Sequence, residues 1–370
     1  MTGVGATVGV EEEYHLVDAT TGGLADAPGV VDSAKRLLGA DAQSEISTSQ
    51  LEVATPVCSS LSEVRAQLLR LRRGADAAAR EHGCRVLACG THPFGSWLDQ
   101  RLTPGERYLE VFERLGLLAL QQLIAGCHVH VSLPQADPEL GVQVLDRLRP
   151  DLHVLLALSG SSPFWEGVDT GYASYRTQWF NRFPVTGTPQ VLGTRAVYDA
   201  LVEDLVATGM VRNASHLYWD ARLSTRFPTV EVRVADTTPD LDDVVLQAAL
   251  SRALVRRAAA DAQAEQPFAT PRPEVVRAAR WRAARHGVAG QLVDLHEGRL
   301  VDGPVLARRL RDRLRPELEE VGDWDEADAL LEQVLARGTS AERQRAVLLR
   351  TGDIADVVRS VVDLLLPTGG

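Results

Sequence analysis

Glu11 and Glu13, His128 and His130, and Glu231 and Arg233 form three pairs of reactive side chains, each pair spaced by two residues among apolar neighbours. The segments that carry them, 8–16, 127–133 and 230–234, are predicted strands, because strand side chains alternate between faces with period two. Val129 and Val131 then face a core while His128 and His130 face away. Val230, Val232 and Val234 likewise turn from Glu231 and Arg233. In the first segment Val8, Val10, Tyr14 and Leu16 share the apolar face, which leaves Glu11, Glu13 and His15 opposite. Acids, imidazoles and an arginine on one sheet face suit a cation and a polyanion. Such a face is expected to be the floor of an active site.

Glu11 and Glu13 are attached roughly 6–7 Å apart on one strand face. At that distance two carboxylates repel by about 2–3 kcal/mol at an effective dielectric near ~20. Solvent can screen that repulsion and a divalent cation can reverse it, and the pair alone leaves both open. Glu12 falls on the apolar face by strict alternation, where only a bulge or a local ion pair would explain it. In the stretch 44–55, Leu51 and Val53 point one way and Glu52 the other; Glu45 has the opposite parity, so a site shared with Glu52 requires a bend. The His-x-His pair lacks a His-Glu-x-x-His motif or a cysteine cluster, which speaks against zinc. Glutamates with one histidine favour a harder cation, magnesium or manganese. Cys127 turns to the apolar side and reads as a core thiol.

Arg222, Arg226 and Arg233 lie close together in the chain, and the planar guanidinium fork matches phosphate and carboxylate oxygens. Arg233, on the face of Glu231, is the sharper candidate; surface ion pairs are the plain alternative for Arg222 and Arg226. Two further features carry no weight. The glycines Gly3, Gly5 and Gly9 have the wrong spacing for a dinucleotide fingerprint and precede a strand instead of following one. Asp236, Asp240, Asp242 and Asp243 are read as charges at a helix N-terminus.

The elements that must position these residues change character along the chain. Up to about residue 240, strand and helix patterns intermingle, with a capping box at Ser60–Glu63 opening a helix through Val64, Leu68 and Leu71. Residues 85–89 read as a buried strand, and 106–125 and 141–158 as helices. Residues 159–189 are rich in Gly, Ser, Thr and Pro yet hold seven aromatics. A long aperiodic segment of that kind is expected to be a substrate-facing loop. Beyond residue 240 the chain is rich in Ala, Leu, Arg and Glu and reads as helical, with breaks near residues 267–273, 287–290, 303–304 and Gly338, a layer covering the sheet. The expected division is a catalytic region over 1–240 and a helical region over 241–370 packed on it. The 370 residues carry a net charge of −11, which argues against nucleic acid or an anionic membrane as partner. With no signal-like N-terminus, no membrane-length apolar run and no disulfide framework among four cysteines, a cytoplasmic location is expected.

Taken in order, Gly9 through Tyr14, Glu45 through Thr55, Gly90 through Phe94, Gly126 through Val131, Leu158 through Trp165, Asp169 through Gly171 and Arg222 through Asp236 form a specific set. Together they resemble the glutamate–cysteine ligase type 2 family of carboxylate–amine ligases. The resemblance implies an α+β, glutamine-synthetase-like fold: a curved antiparallel sheet forming a bowl, helices on its outer face and a helical C-terminal layer. It implies an enzyme in which ATP phosphorylates the γ-carboxylate of glutamate and an amine, expected to be cysteine, attacks the acyl phosphate. By position, Glu11, Glu13, Glu45, Glu52, His128 and Glu231 match metal-binding residues for Mg2+ or Mn2+, and Arg233 matches the arginine contacting the transferred phosphoryl group, with Glu231 beside it in catalysis. Arg176, within the aromatic loop, is a candidate for binding a substrate carboxylate, and Arg222 and Arg226 for binding substrate or ATP. A homodimer is expected from the family alone. The segments Ser159-Gly160-Ser161-Ser162-Pro163 and Trp179 through Pro184 depart from the commonest family pattern, so another amine acceptor stays open. A metal-dependent hydrolase and a non-catalytic binding protein are the alternatives from other classes.

Overall fold

A computed structural model describes residues 3–134 and 137–366. Seven strands form one antiparallel sheet: β1 (Val8–Asp18), β2 (Ala42–Ser44), β3 (Gln50–Ala54), β4 (Cys84–Leu87), β5 (Gly126–Ser132), β6 (Ala221–Leu223) and β7 (Thr229–Asp236). Their order is β6-β7-β5-β1-β3-β2, with β4 also paired to β1. β1 is the long central member: residues 8–12 pair with β5, 11–15 with β3 and 15–18 with β4. The architecture is α+β, with the sheet antiparallel throughout.

Helices cover the face that alternation marked as apolar. Val8, Val10, Val129, Val131, Val230 and Val232 are buried in one cluster with Leu61, Val64 and Leu68 of α1 (Leu61–Arg80), Leu140 and Val144 of α2 (Pro138–Leu148), and Val244, Val245 and Ala248 of α3 (Leu241–Gln263). Full burial of each valine contributes about 1.5–3 kcal/mol. Ser60 caps α1, its hydroxyl accepting from the Glu63 amide at 3.2 Å, but Glu63 returns its carboxylate to Ser59.

Glu12 finds its explanation in this layer. Its carboxylate, on the helix-covered face, meets Arg72 of α1 at 2.6 and 3.0 Å, and the Tyr14 hydroxyl donates to it at 2.6 Å. Arg72 also donates to the carbonyls of Thr238 (2.9 Å), Pro239 (2.5 Å) and Leu365 (3.4 Å), so all five of its N–H groups are used in a fully buried setting.

Several expected elements differ in detail. The segment 106–125 is a helix over Glu106–Leu115, a short turn of helix over Leu117–Leu120, and then irregular chain entering β5. The segment 141–158 is two helices, Pro138–Leu148 and Leu152–Leu158. Between the expected breaks at 287–290 and 303–304 the C-terminal region is not helix: Gln291–Asp294 and Arg299–Asp302 form an antiparallel hairpin. The aromatic segment holds a small hairpin, Phe164–Trp165 with Val168–Asp169, and a short helix, Arg176–Phe180. Both central residues of that hairpin's turn, Glu166 (φ 48°) and Gly167 (φ 80°), have positive φ, the backbone a two-residue type I′ turn demands. No helix among the described residues is long and apolar enough to cross a membrane, and all four cysteines are buried free thiols.

Candidate active site

Strand register turns three separate sequence pairs into rows on the face opposite the core valines. In the first row Arg222 pairs with Glu231 and Glu231 with His130. In the second, Glu11 lies opposite His128 on one side and Ala54 on the other. In the third, Glu13 lies opposite Glu52. Arg233 joins the second row through a bulge: Val232 pairs with Val129 and Ala235 with Cys127, so Arg233 and Val234 together face His128.

The six candidate ligands are brought together as two groups of three. Glu11, His128 and Glu231 have ligand atoms within 4.8 Å of one another, as do Glu13, Glu45 and Glu52. The bend that Glu45 needed lies between β2 and β3. The Thr103 hydroxyl donates to the Glu45 carbonyl at 2.5 Å and the Tyr108 hydroxyl to that of Ser44 at 2.7 Å, which hold the bend in place.

The two groups differ electrostatically. Glu11 is bonded at 3.1 Å to His128 Nδ1 through Oε2 and at 3.1 Å to His130 Nε2 through Oε1. Burial would raise its carboxyl, but these imidazole bonds outweigh it and hold the group well below the usual range. Glu231 is 2% exposed and accepts from Arg222 at 2.8 Å and from Arg233. Burial opposes its ionisation too, yet the two guanidiniums bring it down to about 2. Burial, followed by the charge of Arg233, pushes His128 below the usual imidazole range. In the second group burial raises Glu52 well above the carboxylate range, with Glu11, Glu45 and Glu13 adding to it. Glu13 is raised by burial and Glu45, although His128 and Arg176 pull the other way. Three crowded carboxylates form an all-oxygen set that fits a hard divalent cation.

The remaining arginines are placed differently. Arg222 braces Glu231 and also donates to the Ser215 carbonyl. Arg226 sits on the exposed loop between β6 and β7, its guanidinium 5.8 Å from the Phe227 ring, and is not brought against the acids. Arg176 is buried above Gly126, so close that a Cβ there would fall 2.2 Å from its Nη2. Gly126 also donates its N–H to Glu13 at 2.6 Å. The glycine therefore seats a guanidinium beside the second acid group. Arg176 is thinly bonded: its carbonyl contacts are 3.5 Å, its Nε has no partner, and Asp236 lies 3.8 Å away.

Asp236 overturns one expectation. Asp242 and Asp243 do lie in the first turn of α3, but Asp236 is buried at the end of β7 and stands outside that turn. It accepts from the Ser161 amide (3.0 Å) and the hydroxyls of Ser162 (2.6 Å) and Ser174 (2.7 Å), tying the aromatic segment to the end of β7. The bulge is the reason. It reverses the alternation beyond Arg233 and pairs Asp236 with Gly126, on the reactive face.

The sequence matches Glutamate-cysteine ligase family 2 (GCS2) over residues 7–360. A protein of Frankia alni named "Putative glutamate–cysteine ligase 2-2" is 43% identical over 96% of this chain and 96% of its own length. One of Rhodopirellula baltica named "Putative glutamate–cysteine ligase 2" is 39% identical over 98% and 97%. Among solved structures, the glutamate–cysteine ligase of Francisella tularensis in complex with AMP superposes with a TM-score of 0.71 at 15% identity, covering 98% of this chain and 89% of that one. A bifunctional glutathione synthetase from Pasteurella multocida gives 0.72 at 15% identity, over 97% and 52%. Family and fold define an ATP-dependent ligase of the carboxylate–amine class. The chain belongs to Glutamate-cysteine ligase family 2.

Proposed function

We propose that this enzyme joins the γ-carboxylate of glutamate to an amine at the expense of ATP, with cysteine the first-choice acceptor and γ-glutamylcysteine, ADP and phosphate the products. The observation that carries the reading is the pair of three-residue ligand groups on one rigid sheet face with Arg233 beside them. Glu11, His128 and Glu231 would hold one Mg2+ or Mn2+, and Glu13, Glu45 and Glu52 another. When bound, such ions neutralise phosphate charge that would otherwise repel an incoming carboxylate.

The chain's own residues do the rest. A glutamate γ-carboxylate oxygen attacks the γ-phosphorus as the bond to ADP breaks. Arg233, fixed by Glu231 and by the hydrogen bond its backbone N–H donates to the Asp220 carbonyl (2.7 Å), offers its guanidinium to the charge on the moving phosphoryl group. Arg222 keeps Glu231 ionised and in place. Arg176, under-bonded and buried, suits a carboxylate of the amino-acid substrate. The amine nitrogen then attacks the acyl carbon, the bond to phosphate breaks, and the nitrogen sheds a proton. The aromatic segment, in which Trp165 stacks on Trp179 at 4.2 Å between centroids, would shield the acyl phosphate from water. Its departures from the commoner family sequence support a second reading, the same chemistry with a different amine.

The test is phosphate release from ATP with Mg2+ and glutamate, with and without cysteine or other amines, with products weighed by mass spectrometry. Cysteine-dependent release with a γ-glutamylcysteine mass is the expected result. Release dependent on another amine replaces the acceptor, and no nucleotide turnover with any acceptor refutes the reading.

A further inference from the structure

The Glu11 carboxylate has both oxygens engaged by imidazoles, and only one of those imidazoles belongs to a candidate ligand group. His130 lies outside both groups, yet its Nε2 is 3.1 Å from Glu11 Oε1 and its Nδ1 is 3.0 Å from the Thr229 hydroxyl. The direction of the bond to Glu11 follows from chemistry. An ionised carboxylate can only accept, so Nε2 of His130 donates to it. Nδ1 is held by its own hydrogen bond to the Thr229 hydroxyl, which can serve as donor or acceptor. Thr229 opens β7, opposite Ser132 and next to Val230, whose side chain is locked in the core. Phe227 meets the imidazole edge-on at 6.3 Å. The ring is thus fixed on both nitrogens and one edge while His128 holds the other carboxylate oxygen.

We propose that His130 and Thr229 are positioning residues that fix the Glu11 carboxylate for the divalent cation it would share with His128 and Glu231. The proposal rests on the metal reading given above. A glutamate side chain has three freely rotating bonds, and Glu11 must present one oxygen toward His128 and Glu231. The hydrogen bond from His130 selects that orientation before any cation arrives. Outer partners of this kind typically change metal affinity by about 10- to 100-fold.

The experiment is Mn2+ titration of the full chain, without nucleotide, by calorimetry and by loss of the free-ion electron paramagnetic resonance signal, with circular dichroism as the check on folding. His130→Leu is expected to weaken one class of Mn2+ site by about 10- to 100-fold and to leave the sites of Glu13, Glu45 and Glu52 unchanged. Glu52→Gln should do the reverse. His130→Gln keeps an N–H able to reach Glu11 and should restore most of the affinity. Thr229→Val should weaken the same class by several-fold, and Thr229→Ser should match wild type. Wild-type binding by His130→Leu overturns the proposal. Equal damage from His130→Gln and His130→Leu also overturns it, because that pattern makes His130 a direct ligand. A wild-type protein that binds no Mn2+ refutes the metal reading itself, which separates the two failures.

Discussion

Replacing Arg72 by methionine probes the buried charge of Glu12 on the helix-covered face of β1. Arg72 makes both of the guanidinium contacts to Glu12 and spends its remaining donors on the carbonyls of Thr238, Pro239 and Leu365. The substitution leaves Glu12 fully buried with only the Tyr14 hydroxyl, and deprives those carbonyls of their shared donor. Breaking a buried pair from one side costs about 3–5 kcal/mol, and an orphaned buried carbonyl about 1–3 kcal/mol more where water cannot reach it. A loss of about 4 kcal/mol or more is therefore expected. Unfolding entropy near 2.1 cal/mol/K per residue, over 370 residues, makes that a fall of about 5 °C in Tm. Glu12→Gln should cost less, because Arg72 keeps its three carbonyls. The double variant Glu12→Met, Arg72→Met should recover much of the loss, since two apolar side chains replace an ion pair without stranding a charge. Urea unfolding followed by tryptophan fluorescence gives all three values. A single Arg72→Met variant within about 1 kcal/mol of wild type, or a cycle with no coupling between the positions, would refute the reasoning.

Glu231→Gln should nearly abolish ATP turnover and also cost stability. The difference between 4.5 and about 2 in its carboxyl corresponds to about 3 kcal/mol, present above pH 4.5 and lost as pH falls toward 2; wild-type turnover in a folded variant removes Glu231 from the site. Gly126→Ala puts a methyl group 2.2 Å from Arg176 Nη2. It should raise the KM for the amino-acid substrate by about 10- to 100-fold, the loss of one charge-assisted hydrogen bond, and an unchanged KM would mean Arg176 does not bind that substrate. His296, bonded to Asp151 at 3.1 Å, has its imidazole raised above 6.5 by that carboxylate, and a raised histidine stabilises below 6.5 and ceases to as pH rises through its folded value. The stability gap between wild type and His296→Gln should therefore be wider near about pH 5.5 than about pH 8.5, and a gap independent of pH would show that the ion pair contributes nothing.

Alternation along single strands was readable because it is local. Val129 and Val131 against His128 and His130, or Val230 and Val232 against Glu231, need only the period-two rule, and the sheet places them as that rule requires. Glu12 marks the limit of local reasoning. Its partner Arg72 is sixty residues away on a helix whose own pattern, Leu61, Val64, Leu68 and Leu71, gives no reason to single out an arginine on the buried stripe. The C-terminal hairpin was missed for a related cause. Its strands are four residues each, too short to build a period against the helical background around them.

Register is the part of the site that no single segment encodes. Whether Glu11 stands across from His128 or from His130 depends on how β1 and β5 slide against each other, and a shift by one residue would turn the ligands of one of the two strands toward the helices. The core valines exclude every odd shift, since Val8, Val10, Val129 and Val131 must all face the same layer. The apolar half of each strand thereby fixes which face the reactive half occupies, while the choice between His128 and His130 is left to the pairing along the strands. The bulge at Arg233 is the exception, because an extra residue cannot be seen in an alternating pattern until the pairing is known. It aligns Arg233 with His128 and carries Asp236 onto the reactive face, where it anchors the segment holding Arg176. A strictly regular strand would put Asp236 on the face of the core valines, and the serine-rich segment would lose its attachment to the sheet. The irregularity thus joins the candidate phosphoryl-handling arginine to the candidate substrate-binding one through three residues of a single strand.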